Sequence, residues 1–580
     1  MKKGAQKGKV KQVRPAATET DTPEKIPEKE IPQTTEPTPQ LEPELLPVEE
    51  ENPAPQPLRE LETSGTHTSC WLPAAEPLPT GKLGEHFFAD VVVVGGGIAG
   101  VTIAFNLVRS GLKVALIEDG HVGSGETGRT TAHLTAILDD RYTRLEKLYG
   151  EDGAKLIAES HRHAIDFIDL VVHNENIDCD FKRVPGYLFR HPTDDKDSLQ
   201  KEYEAVTRAG LKANLRDDVP GIPHEKGPCL EVENQAQFHP LKYLQGLCNL
   251  ILRDGGRIFT NTHAATIDEN GVTTADGFSV RANYVVVATN TPVNNKYRMH
   301  LRQSPYRTYV IGARVRKEML PYALWWDTGD QSEQSSTPPY HYVRQQPLDE
   351  LFDLLIVGGE DHHTGESGDV PVEIGRYDLL EEWMRRRFEV ENIVYRWSGQ
   401  VLEPVDSLAV IGRNPGDADN VFIVTSTSGS GMTYGTIAGM IIPDLIRGNE
   451  NRWTKVYEPS RFKLRRAGLF LQETVAGLFE SLKTKKQYAV LSEVPKGEGK
   501  VVEIDGIKLG AYRDDTDTMH LVHAECTHLG CIIKWNPDEK SWDCPCHGSR
   551  FTYMGKVMNG PANKDLDYHT IRGNGRTAVE

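Results

Sequence analysis

The rhythm of apolar and polar positions changes several times along this chain, and each rhythm predicts a different kind of structure. Residues 1 to about 62 carry few apolar side chains among many Pro, Glu and Thr, as in "TPEKIPEKEIPQTTEPTPQLEPELLPVEEENPAP". So little apolar surface cannot offset the entropy of ordering, and a disordered tail is expected. Order should begin near Trp71. "FFADVVVVGGGIAGVTIAFNLVRSGLKVALIED" then reads as strand, glycine turn, helix and strand. Val91 to Val94 are apolar without alternation, the mark of a strand covered on both faces. Further on, "GSGMTYGTIAGMIIPDLI" is a glycine-rich turn feeding a helix, with Ile437, Ile441 and Leu445 along one side.

Two more segments differ again. In "SRFKLRRAGLFLQETVAGLFESLKTK", Leu471, Val475, Leu478 and Leu482 recur at helical spacing. A linker helix between two domains fits this short segment with its interior glycines; a helix lying on a membrane surface is the alternative. From "AVLSEVPKGEGKVVEIDGIKLGAYRDDTDTMHLVHAECTH" onward, apolar and polar residues alternate between Gly, Pro and Asp turns, which predicts a small all-β domain of short strands. The expected organisation is a tail over 1–62, a large domain over 63–460, a linker helix over 461–485 and a β domain over 486–580.

Composition narrows the function classes. A chain of 580 residues is long enough for several domains. Its net charge of -18 leaves no basic surplus to neutralise phosphates, so no nucleic-acid partner is expected. No apolar run approaches the roughly 18 to 20 residues that span a bilayer, so no transmembrane segment is expected. The start, "MKKGAQKGKVKQVRPAA", is basic with no apolar stretch after it, and a cytoplasmic location is expected. The tail would be a solubilising extension, or else a tether.

Chemistry enters at the glycine turn. Gly95, Gly97 and Gly100 form G-x-G-x-x-G between strand and helix: the first for a tight turn, the second for backbone approach to a pyrophosphate, the third for close packing. Ile98 and Ala99 lie inside the motif, and Glu118 closes the second strand where an acid can accept from a ribose hydroxyl. The chain has one such fingerprint, so one dinucleotide, FAD or NAD, is expected. "GGEDHHTGE" (358–366) places His362 and His363 beside acids, but without a third ligand at defined spacing it reads as a polar loop rather than an iron site.

Of eight cysteines, four crowd into "CTHLGCIIKWNPDEKSWDCPCHGSRF" (526–551), with two histidines. The other four, Cys70, Cys179, Cys229 and Cys248, are scattered. That distribution suits a metal site rather than a disulfide framework.

Two resemblances follow from these residues. The segment from about 68 to 462 resembles the FAD-dependent oxidoreductases of the D-amino-acid oxidase and glycine oxidase family. It does so through the fingerprint, "GSGETGRTTAHLTA", "YVVVATNTP", "YRWSGQVLEPVDSLAVIGR" and "TSGSGMTYGTIAGMIIPDLIRG", in that order. This implies an α/β Rossmann-like FAD domain interleaved with an α+β mixed-sheet substrate domain. It also implies hydride transfer from a carbon bearing an amine to FAD. FAD contacts are expected at Thr130, Thr131, Ala264, Gly431, Met432 and Thr433 besides the fingerprint. A substrate carboxylate would be met by an Arg or Tyr, with Arg314, Arg344, Tyr306, Tyr342 and His362 as candidates.

"CTHLGC" and "CPCHGS" resemble the loops of Rieske proteins, with structural zinc as the alternative. The resemblance implies a [2Fe-2S] cluster with Cys526 and Cys544 on one iron, His528 and His547 on the other, and Cys531 and Cys546 as a disulfide tying the loops together. Ser549 is present, but Phe551 stands where high-potential relatives have a tyrosine that donates to a ligand sulfur, which implies a lower potential.

The two resemblances together imply an amine or amino-acid dehydrogenase. Its flavin would release two electrons one at a time through the cluster to an external acceptor. The alternatives are a reductase in which the cluster feeds the flavin from a donor protein, a redox-sensing electron-transfer module without turnover, and a Rieske oxygenase, the last weakened by the missing iron site.

Overall fold

The structure is a computed structural model, which describes residues 67–74, 78–293, 299–332, 339–365, 375–463, 491–572 and 576–578. The Pro/Glu-rich tail and the body of the expected linker helix, including Leu471, Val475, Leu478 and Leu482, lie outside the described residues.

There are three packed regions, the first two drawn from alternating segments of the chain and the third C-terminal. The first is built on the parallel pairing of Phe87–Val94 with Ser279–Asn290 on one side and Val114–Ile117 on the other. The sheet continues to Arg257–Phe259 beyond Val114–Ile117, and to Val421–Thr425 and the antiparallel Val410–Arg413 at the opposite edge. Val91 to Val94 are buried, as an unalternating apolar strand requires. The crossover is the helix Ile98–Arg109, and Gly431–Ile446 packs beside it. Gly435 permits that approach, since a Cβ there would lie 2.7 Å from Ile98 Cγ2 and 3.1 Å from the Ala99 nitrogen. The other helix face also packs, through buried Ile437 and Ile441.

The second region is a nine-stranded mixed sheet in the order Ile393–Pro404, Gln303–Arg316, Phe352–His363, Tyr342–Pro347, Leu324–Asp327, Lys182–Phe189, Cys229–Gln237 and His133–Leu134, with Ala213–Arg216 attached to Cys229–Gln237. Its strands come from segments that alternate in sequence with those of the first sheet, so the two regions interleave. The third, C-terminal region is all antiparallel: a five-stranded sheet from Gly499–Ile504 to Arg576–Ala578 and a four-stranded one from Lys534–Asn536 to Val557–Asn559. Its core joins Trp535, Trp542 and Phe551 to Cys526 and Cys544. No helix among the described residues is long and apolar enough to cross a membrane.

Candidate active site and metal centre

The strand Phe87–Val94 ends at Gly95, whose φ of 110° lies in the region that favours glycine. A methyl there would overlap the Ala288 carbonyl oxygen, and one at Gly100 would overlap the Gly95 carbonyl oxygen. Both glycines therefore hold strand and helix together. Ile98 N donates to Thr127 Oγ1 at 3.1 Å. Glu118 accepts from Gly96 N at 2.6 Å and from Gly120 N at 2.8 Å. Burial pushes the Glu118 carboxyl upward, against the pull of those two amides.

A cavity of about 1080 Å³ opens from this turn. Gly95, Gly97, Ile98, Ala99, Glu118, Thr130, Thr131, Ala264, Gly431 and Met432 all line it. Gly100 and Thr433 are not part of its wall. Gly100 serves the packing just described, and Thr433 Oγ1 donates to the Ser430 carbonyl at 3.1 Å and bonds His161 Nδ1 at 2.8 Å. The site fits an extended dinucleotide. A side chain at Gly97 would meet only Thr127 Oγ1, at 3.1 Å, so the backbone stays open to a ligand, and the N-terminal end of Gly431–Ile446 meets the same cavity.

The far end of the cavity is walled by the mixed sheet. Tyr306, Thr308, Tyr340 and Tyr342 line it, with Asp139, Asp361 and Glu403. Tyr342 and Thr308 share a hydroxyl bond of 2.6 Å, and Thr308 bonds the Asp361 carboxyl. Burial pushes that carboxyl up to about 7. Both Glu403 oxygens accept from Ser428 Oγ at 2.8 Å, while burial and then the neighbouring Asp140 push Glu403 well up.

The guanidiniums expected from the sequence are elsewhere. Arg314 sits at the surface, paired with Asp349 at 3.0 Å. Arg344 is fully buried and spent on the carbonyls of Thr131, Ala132 and Phe238 at 3.2, 2.9 and 3.0 Å. His362 stacks on Tyr309, ring centroids 5.8 Å apart, outside the cavity wall. Only the tyrosines among those candidates reach the cavity. Nothing in the sequence marks Asp139, Asp361 and Glu403 as walls of one cavity: Asp361 sits in "GGEDHHTGE" and Glu403 in "YRWSGQVLEPVDSLAVIGR", but acids on separate elements resemble any surface acid.

The cysteine loops have matching backbones. Cys526 N donates to Cys531 O at 2.8 Å and Gly530 N returns to Cys526 O at 2.9 Å. In the second loop, Cys544 N donates to Ser549 O at 2.8 Å and Gly548 N to Cys544 O at 3.0 Å. Gly530 and Gly548 have φ of 77° and 79°, left-handed turns that glycine adopts without strain. Cys531 and Cys546 form a disulfide across the loops, S–S 2.08 Å. Cys544 Sγ also lies within 4.8 Å of those two sulfurs, but a disulfide has no thiolate to offer a metal. The free thiols are Cys526 and Cys544, side by side and hydrogen bonded. Amides of His528 and Leu529 and the Ser549 hydroxyl point at the first sulfur, amides of Cys546 and His547 at the second. The rings of His528 and His547 stand 5.0 Å apart at 87°. Two thiols in nests of donors, with two imidazoles on the same pair of loops, form a donor set suited to a cluster with sulfur ligands on one iron and nitrogen ligands on the other.

The third region is seated on the first two. Gln400, a cavity residue, donates to the Gly548 carbonyl at 2.9 Å, and Asn559 donates to Glu126 at 3.0 Å. Met558, Asn559 and Gly560 line the cavity itself. Beneath this seam Glu539 is fully buried among Tyr377, His67 and Arg307, at 3.0, 3.1 and 3.3 Å, with Arg550 at 3.6 Å.

Comparison with known proteins agrees with this geometry. Residues 90–445 match the family model of the FAD dependent oxidoreductases, and residues 485–570 match that of the Rieske [2Fe-2S] domain. The chain belongs to the FAD-dependent oxidoreductase family. It is an FAD oxidoreductase carrying a C-terminal Rieske domain, and its cofactors are FAD and a [2Fe-2S] cluster. The Rieske 2Fe-2S iron-sulfur protein YhfW of Bacillus subtilis is 33% identical over 491 residues, 83% of this chain and 94% of that protein. The gamma-glutamylputrescine oxidoreductase of Escherichia coli is 27% identical over 401 residues, 67% of this chain and 91% of its own length. The L-amino acid deaminase of Proteus myxofaciens shares the fold, with a TM-score of 0.54 at 15% identity over 69% of this chain and 98% of its own.

Proposed function

We propose that this FAD-dependent oxidoreductase oxidises a small-molecule amine and passes the electrons one at a time through its own Rieske cluster to an external acceptor protein. One observation carries the reading: the cavity of the glycine turn shares a wall with the Rieske domain, and Gln400 links that wall directly to the second cluster loop. Bound FAD supplies the acceptor for the electron pair and hydrogen of a substrate C–H bond, so that R–CH2–NH2 leaves as the iminium R–CH=NH2+.

The chain's residues do the rest. Gly95, Gly97 and the N-terminal end of Ile98–Arg109 would take the pyrophosphate, Glu118 the ribose, and the N-terminal end of Gly431–Ile446 the electron-rich part of the ring system. Tyr306, Tyr340 and Tyr342 wall the substrate end and exclude water. Cys526 and Cys544 would hold one iron, His528 and His547 the other. The name of the Escherichia coli relative, which acts on gamma-glutamylputrescine, supports an amine as the substrate class.

The test is anaerobic mixing of the holoenzyme with an amine and amino-acid panel, following flavin absorbance and the electron-spin signal of the reduced cluster together. An effective substrate should bleach the flavin and then raise the cluster signal. Flavin bleaching with a permanently silent cluster, or no bleaching by any amine or amino acid, would refute the proposal.

A further inference from the structure

Which amine fits is written in the charges around the substrate end of the cavity, and the inference rests on the amine-oxidising reading above. We propose that the substrate is a cationic alkylamine with no carboxylate beside the reacting nitrogen, its ammonium group held by Asp361 and Glu403 and enclosed by Tyr340 and Tyr342.

Asp361 lies near the end of Phe352–His363 and Glu403 near the end of Ile393–Pro404, the two strands that flank Gln303–Arg316, and both line the cavity. Arg141 and Arg144 line this end too, but both sit against other acids. Arg144 lies 3.7 Å from Asp140, and Arg141 donates to the Asp327 carbonyl at 3.1 Å while its charge is matched by Asp139 and Asp140. His341 is the cation felt by Asp361, but it is held between Asp327 at 3.2 Å and Glu360 at 3.1 Å. That leaves the Asp361 and Glu403 carboxyls lining the cavity with no ion-pair partner among the described residues.

A second observation points to a ligand. Asp361 Oδ1 is closed to solvent and has no hydrogen-bond partner among the described residues, although Thr308 serves the same carboxyl. An acceptor buried in that way is costly unless a donor arrives. An ammonium group brings up to three donors and the missing charge, and aromatic faces such as Tyr340 and Tyr342 favour a cation. A carboxylate there would meet like charge: neither Arg314 nor Arg344 reaches the cavity, and Arg141, which does, already faces Asp139 and Asp140. The Asp361 carboxylate, which lines the cavity, can also take one proton from the ammonium, leaving the free amine that oxidation requires.

The holoenzyme distinguishes the possibilities with two matched pairs. For binding, tert-butylammonium, which has no oxidisable C–H bond beside nitrogen, is compared with pivalate, its near-isostere of opposite charge, by perturbation of the flavin spectrum. For turnover, butylamine and 1,4-diaminobutane are compared with glycine, alanine and proline by anaerobic flavin bleaching. The cation should bind, pivalate should not, and the amines should bleach the flavin while the amino acids do not. Asp361→Asn and Glu403→Gln should each weaken tert-butylammonium binding at least tenfold, and if one variant fails to fold the other decides. Preferred binding of pivalate, bleaching by amino acids alone, or wild-type affinity for the cation in a folded variant overturns this inference and leaves the amine-or-amino-acid chemistry standing. No bleaching by either class overturns both.

Discussion

Glu539→Gln removes one negative charge from the seam between the Rieske domain and the mixed sheet. Glu539 is fully buried, and it accepts from Tyr377 and contacts His67, Arg307 and Arg550. Arg550 keeps Asp543 at 3.0 Å in the variant, whereas Arg307 loses its carboxylate and retains Ser398 as a neutral acceptor. Removing one partner of a buried ion pair costs about 3–5 kcal/mol, because the remaining charge stays buried. If half of that falls on docking of the domain, the docked population shifts by roughly tenfold or more, at about 1.4 kcal/mol per factor of ten. Burial alone would raise the Glu539 carboxyl, but the His67 bond and the Arg307 and Arg550 charges outweigh it and hold it well below the ordinary 4.5. A depressed folded pKa contributes stability that is present above the unfolded value and is lost as pH falls through the folded one. The gap between wild type and Glu539→Gln should therefore be full at pH 7 and should close below pH 4.5. Urea unfolding at both pH values measures the first effect, and rapid mixing with substrate measures the rate at which the cluster follows the flavin. A variant that unfolds at the wild-type urea concentration at pH 7 and fills its cluster at the wild-type rate would show that this carboxylate does not hold the seam.

Gly100→Ala places a methyl against the Gly95 carbonyl oxygen, so the variant should purify without FAD while retaining the Rieske electron-spin signal; normal flavin content would contradict the packing described here. His528→Ala and His547→Ala should each abolish that signal and leave yellow protein, and stoichiometric zinc in place of iron and sulfide in the wild type would refute the cluster ligation. The Asp361 carboxyl, raised by burial to about 7 from 3.8, costs stability above the unfolded value and costs it in full above pH 7, so Asp361→Asn should outlast wild type in thermal unfolding at pH 8 and match it near pH 3. Phe551 is fully buried in the cluster's core, so Phe551→Tyr should raise the cluster potential if the new hydroxyl reaches a ligand sulfur; an unchanged potential with lower stability would mean that it is buried unpaired.

Much of this protein was legible locally. An apolar run ending in Gly95, Gly97 and Gly100 can do little but pass from a buried strand into a close-packed helix, and Cys526, His528, Cys544 and His547 carry their spacing within two short loops. Such motifs need only neighbouring backbone to acquire their geometry. The substrate end was not legible, because Asp139, Asp361 and Glu403 come from separate elements and meet only when the mixed sheet is assembled. Nor could spacing tell a cavity guanidinium from Arg314, which ends up paired at the surface, or from Arg344, which is consumed by three carbonyls in the core. The seam is the furthest case: Glu539 meets Arg307 across 232 positions and His67 across 472. Side chains that distant are brought together by the packing of whole domains, and only that packing decided that the C-terminal domain would supply part of the wall of the cavity at the glycine turn.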